Sequence, residues 1–115
     1  MNRSFFIAGV QFRPQQEIAK AMKEIKVDDF LILAMESDNK YDPNAVRIEY
    51  EPEYEADSIF LGYVPKKFSA EVTGLLEAGV ELDCIVEAVN PLAKPWEMCK
   101  VLIVDEKIQE ESEGS

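Results

Sequence analysis

Glu36-Ser37-Asp38-Asn39-Lys40-Tyr41-Asp42-Pro43-Asn44-Ala45-Val46-Arg47-Ile48, followed at a distance by Leu61-Gly62-Tyr63-Val64-Pro65, decides how this chain of 115 residues reads. Each block fuses a polar, turn-forming segment to an apolar strand. Acid, amide, aromatic and proline crowd into Asp38 to Asn44, a composition in which side chains bond nearby backbone and force a tight loop. On one side lies the continuous apolar run Phe30 to Met35. On the other, Ala45 to Tyr50 alternates Val46 and Ile48 with Arg47 and Glu49, as a half-buried strand does. Ser58 to Val64 resumes as a strand with Ile59, Leu61 and Tyr63 on one face, and Gly62 marks a close approach of another segment.

Outward from these blocks, Phe5 to Phe12 reads as a first strand broken by Gly9, the place for a bulge or a close approach. Pro14 suits the first turn of a helix running to about Ile25, with Ile18, Met22 and Ile25 on its buried face. Pro65 opens a second helix whose apolar stripe is Phe68, Val72, Leu75 and Leu76, and Gly79 is placed to stop it at the C′ position. Leu82 to Val89 and Lys100 to Val104 read as two closing strands, separated by the Pro91 to Pro95 loop with Lys94 and then Trp96. Five or six strands and two helices without regular alternation exclude a doubly wound parallel sheet. The expected fold is mainly β with two helices, a small antiparallel barrel. One domain spans residues 1–104, and an acidic, disordered tail follows from 105 to 115.

The formal net charge is −11, which opposes binding to a polyanion. Its distribution softens the objection. Five acids and no base lie between Glu49 and Asp57, and five acids with one lysine lie between Asp105 and Ser115; elsewhere 13 acids face 11 bases. Arg13, Lys40, Lys66 and Lys67 adjoin the two motif blocks. Cys84 and Cys99 sit in apolar strands, too far apart for a metal knuckle and with no histidine to complete a zinc site, so they read as free core thiols. No cofactor is implied. The N-terminal residues lack a signal-peptide pattern and no apolar run approaches the length of a membrane span, which gives a cytoplasmic protein as the expectation.

Ala8-Gly9-Val10-Gln11-Phe12, the Glu36 to Arg47 block and Leu61-Gly62-Tyr63-Val64-Pro65 together resemble a HIRAN domain in order and spacing, over roughly Phe5 to Val89. The resemblance implies a barrel of the oligonucleotide-binding type that captures the 3′ end of single-stranded DNA in repair or replication-fork processing. By position, Phe12 and Tyr41 correspond to the family's base-contacting aromatics, Asp42 to the acceptor of the terminal 3′-hydroxyl, Asn39 to a polar residue of the same pocket and Lys66 to a phosphate-contacting lysine. Gln11 stands where DNA-binding eukaryotic relatives carry a basic residue, Phe12 lacks a tyrosine hydroxyl and Tyr63 replaces another polar side chain. With Arg13, these eight residues form the candidate nucleic-acid-binding set. Members are often fused to remodelling ATPases. These 115 residues contain no Gly-rich phosphate loop ending in Lys-Ser/Thr, so any such motor is expected to be another polypeptide.

The chemistry is coherent without the family. Aromatic faces stack on any base, lysines hold the backbone, and a carboxylate selects a chain end that offers a hydroxyl where an interior residue offers a phosphate. Singly, the same residues have structural readings: Asp38 and Asp42 bonding their own loop, Asn44 capping, Phe12 and Tyr63 as core aromatics, and Lys66 and Lys67 as solvated charges at a helix start. Two other functions stay open. Glu36, Asp38 and Asp42 are a candidate carboxylate set for a divalent cation in phosphodiester hydrolysis, and the barrel's groove or the acidic Glu49 to Asp57 segment is a candidate docking surface for a basic protein partner in place of DNA.

Overall fold

In the computed structural model, which describes residues 1–55 and 57–105, strands β1 (Asn2–Phe6), β2 (Phe30–Met35), β3 (Val46–Tyr50), β4 (Ile59–Tyr63), β5 (Leu82–Val89) and β6 (Cys99–Asp105) form one antiparallel sheet. Their order is β1-β6-β5-β2-β3-β4. Helices α1 (Gln15–Glu24) and α2 (Lys66–Glu77) complete the domain. The sheet curls because β2 changes partners along its length: Phe30 and Leu31 pair with Ile85 and Cys84 of β5, then Ile32 to Met35 pair with β3. The result is a half-barrel whose edge strands face each other. At one point they meet, as Ala8 and Tyr63 exchange backbone hydrogen bonds of 2.9 and 2.8 Å.

That seam explains Gly62. A Cβ there would lie 2.3 Å from the Ala8 carbonyl oxygen and 2.8 Å from Ile7 Cγ2, so only glycine lets the edges touch. Gly79 has the placement its position in the sequence implied. It follows the α2 C-cap Ala78 with φ 82°, and the Gly79 and Val80 N–H groups donate to Leu76 and Leu75 carbonyls at 3.1 and 3.0 Å, a Schellman closure.

Three sequence expectations change. The segment expected as one strand from Phe5 to Phe12 is β1 at Asn2–Phe6 followed by a 3₁₀ turn at Val10–Phe12, because Gly9 takes φ 75° and swings the chain off the sheet. Ile59 and Leu61 are buried as expected, but Tyr63 is not on their face. The register shifts between Ile48, opposite Gly62, and Glu49, opposite Phe60, leaving Leu61 as a bulge that turns Phe60 and Tyr63 outward together. Finally, Asp105 is the last residue of β6 and not the start of a tail; the rest of the expected tail, residues 106–115, lies outside the described residues.

The core is built from inward alternate residues of the strands and one face of α1, with Ile7, Met22, Ile48, Leu61 and Ile103 fully buried. Cys84 and Cys99 are free and buried in it. Burial pushes both thiols up, Cys99 to about 12, so neither forms a thiolate near neutral pH. Ellman's reagent is therefore expected to find no reactive thiol in the native protein and two in denaturant; rapid reaction in the native state would show that this part of the core opens. Among the described residues, no helix is long and apolar enough to cross a membrane.

Candidate nucleic-acid interface

The loop between β2 and β3 is held by its own polar side chains. Asn39 Oδ1 accepts the Tyr41 and Asp42 N–H groups at 2.8 and 3.0 Å, and Asn39 Nδ2 donates to Glu36 Oε1 at 3.0 Å. Asp42 Oδ1 accepts the Asn44 N–H at 2.9 Å. These are the backbone-mimicking bonds that Asx-rich loops make, and they leave the Tyr41 ring outside, 88% exposed.

Helix α2 clamps this loop from below. Ser69 and Thr73, the buried polar residues of the described chain, both reach it: the Ser69 hydroxyl donates to Asp42 Oδ2 at 2.7 Å, and the Thr73 hydroxyl donates to the Asn44 carbonyl at 2.8 Å. Asp42 thus has a structural role already, with one oxygen committed to Asn44 and the other to Ser69. Each carboxylate oxygen has two acceptor sites, so capacity for a ligand hydroxyl remains.

Across the loop, Tyr63 donates to Glu36 Oε1 at 2.8 Å, and Arg47 Nη1 lies 3.7 Å from Glu36 Oε2. Burial first, and the hydrogen bond to Glu36 second, push the Tyr63 phenol above its ordinary range, so it is a fixed neutral donor. The Phe60 ring meets Tyr63 edge-on at 5.1 Å between centroids, and carries the Arg13 and Arg47 guanidiniums at 4.0 and 3.9 Å from its centroid. Arg13 also donates from Nε to the Phe60 carbonyl at 3.3 Å. Arg47 Nε is close to Glu49 Oε2, 3.1 Å, but is not aligned for a hydrogen bond.

These elements enclose a groove of about 480 Å3. Seven of the eight candidate residues line it: Phe12, Arg13, Asn39, Tyr41, Asp42, Tyr63 and Lys66. The eighth, Gln11, does not; the 3₁₀ turn sends it to a neighbouring cleft on the far side of Arg13. Phe12 is 81% exposed, so neither it nor Tyr41 is a core aromatic. The three carboxylates considered for a cation are not gathered. Glu36 is bonded to Tyr63 and Asn39, Asp42 to Asn44 and Ser69, and among the described residues no group of three or more His, Cys, Asp or Glu is arranged to hold a metal.

Sequence reasoning overlooked Phe60, Ser69 and Thr73, and counted Arg47 only as an outward strand residue. The hydroxyls do leave a trace: Ser69 and Thr73 follow Phe68 and Val72 at a spacing of four, a polar pair running beside the apolar stripe. Phe60 leaves none, since its orientation depends on the bulge at Leu61.

Residues 2–103 match the HIRAN domain family. A solved protein from Lactobacillus plantarum is 18% identical and superposes with a TM-score of 0.69, over 90% of this chain and 95% of the other. The crystal structure of the HIRAN domain of human HLTF is 9% identical, with a TM-score of 0.57 over 96% of this chain and 81% of the other. No curated protein matches this chain. The half-barrel with two helices is the architecture of a HIRAN domain, and the family match extends from β1 into β6. The chain belongs to the HIRAN domain family, known for DNA-binding modules.

Proposed function

We propose that this domain binds single-stranded DNA at its 3′ end, in the groove between Phe12 and Tyr41, without catalysing a reaction itself. The observation that carries the reading is the pair of bare rings. Two aromatic side chains more than four-fifths exposed on the lips of one concave groove are poorly placed for folding and well placed for bases, each stacked base contributing about 1–3 kcal/mol. Lys66 and Arg13 supply positive charge for the backbone, within a chain whose overall field repels it. Asp42 supplies the selection of an end. A terminal hydroxyl donates to its carboxylate, whereas a phosphate in the same place is repelled. Family membership supports DNA as the ligand class.

The test is a fluorescence-anisotropy titration at low salt with short strands ending in a 3′-hydroxyl or a 3′-phosphate. The wild type is expected to prefer the hydroxyl by about 10-fold, the worth of one hydrogen bond to a charged group, and Asp42→Asn to lose that preference. Ser69→Ala, which frees Asp42 Oδ2 from its helix partner, is expected to narrow the preference while binding persists. Equal affinity for both ends in the wild type would overturn end recognition.

A further inference from the structure

Two kinds of aromatic ring line the groove. Phe12 and Tyr41 are bare, whereas Phe60 is half-buried and its ring is already occupied by guanidiniums, Arg13 at 4.0 Å and Arg47 at 3.9 Å from its centroid. The two cations differ in what else holds them. Arg47 lies beside Glu36 and Glu49, at 3.7 and 3.1 Å, so its charge is compensated within the domain. Arg13 has no ion pair among the described residues. Its side chain donates from Nε to the Phe60 carbonyl at 3.3 Å, which leaves both Nη groups without an acceptor among the described residues.

The backbone beneath Arg13 is equally constrained. Its N–H closes the 3₁₀ turn on the Val10 carbonyl at 3.1 Å, and Pro14 favours the extended conformation that Arg13 adopts, φ −95° and ψ 157°. A guanidinium stacked on a ring and bonded through Nε to the carbonyl of the same residue retains one free edge. That edge is the Nη pair, whose spacing matches two oxygens of one phosphate.

From this contact pattern, we propose that Phe60 is a positioning residue, which holds Arg13 as a preset two-point clamp for one phosphate of the bound strand and does not itself stack on a base. The inference rests on the groove reading above and deepens it. An untethered arginine gives up its rotamer freedom on binding; one already held by Phe60 gives up less, and the difference appears as affinity. Lysine in its place brings the charge without the planar fork or the flat face, so the clamp requires arginine in particular.

The test joins salt-dependent affinity to a double-mutant cycle on the full chain, with an oligothymidylate of eight nucleotides ending in a 3′-hydroxyl, anisotropy as the readout and thermal melting to check folding. Arg13→Gln is expected to weaken binding about 10-fold to 100-fold and to reduce the slope of log affinity against log salt by about 0.7, one phosphate's worth on a single strand. Arg13→Lys should restore that slope but not the affinity. Phe60→Leu and Phe60→Met, two ringless side chains of similar size, are expected to weaken binding about 3-fold to 10-fold in the wild-type background. In the Arg13→Gln background they should cost nothing further, since no fork remains to be held. Phe60→Tyr keeps the ring and should bind as the wild type does. A loss of equal size in both backgrounds would overturn the positioning role, because a stacking or purely structural ring is felt whether or not Arg13 is present. Wild-type affinity and slope in Arg13→Gln would overturn the clamp and spare the groove. No binding by the wild type would overturn the groove reading and the clamp with it.

Discussion

Replacing Phe12 and Tyr41 together by alanine is expected to weaken binding of a short single strand by about 30-fold to 1,000-fold or more, with little change in melting temperature. The first half follows from two lost stacking faces at about 1–3 kcal/mol each. The second follows from exposure: side chains left 81% and 88% in solvent contribute little burial to the folded state. Anisotropy and thermal unfolding on the same samples separate the two effects. The single variants are expected to fall between wild type and double, each by about 5-fold to 100-fold, and unequal losses would identify the ring that carries the terminal base. A double variant that binds as wild type would remove the groove from consideration.

The other large effect is on the fold. Gly62→Ala drives a methyl group to within 2.3 Å of the Ala8 carbonyl oxygen, a backbone atom that cannot move aside without breaking the Ala8–Tyr63 bridge. Overpacking of this kind costs about 1–3 kcal/mol, and loss of the two seam hydrogen bonds about 1 kcal/mol each, so a loss of about 4 kcal/mol is expected. At about 4 °C per kcal/mol in a domain this size, the melting temperature should fall by about 16 °C. Gly74→Ala is the paired control. Nothing lies within 4 Å of its added methyl, and inside α2 alanine is favoured over glycine by up to about 1 kcal/mol, so that variant should melt slightly higher. Equal behaviour of the two variants would mean that the seam does not close the half-barrel. Because Tyr63 and Phe60 lead from the seam into the groove, Gly62→Ala should also weaken DNA binding.

Much of this architecture is legible locally. Turn chemistry marks the Asp38 to Asn44 loop, period-two alternation marks β3, Gly79 marks the end of α2, and the rarity of glycine inside a strand marks the seam at Gly62. What escapes local reading depends on partners distant in sequence. The strand expected through Phe12 ends at Phe6 because Gly9 adopts a left-handed conformation that serves the seam with Tyr63, 54 residues away. Phe60 and Tyr63 share an outward face because β3 imposes a register shift on β4. The Asp42 carboxylate has alternative roles in sequence; only the placement of α2 below the loop reveals that Ser69 holds one of its oxygens. Arg47 is an ordinary alternating charge until the curl brings Phe60 and Glu36 to it.

The acidic surface is the main opponent of this account, and it too is partly internalised. In the segment from Glu49 to Asp57, Glu55 pairs with Lys20 of α1, while Glu49 accepts from Ser58 at 2.7 Å and sits beside Arg47. Such pairs contribute little individually, but they direct part of the negative charge toward cations of the domain itself.

The most direct measurement is an amide chemical-shift titration of the labelled protein with a short single strand ending in a 3′-hydroxyl. The largest shifts are expected at Phe12, Arg13, Asn39, Tyr41, Asp42 and Lys66, with Ser69 following through its bond to Asp42. Shifts confined to the acidic Glu49 to Asp57 segment, or none at low salt, would contradict it.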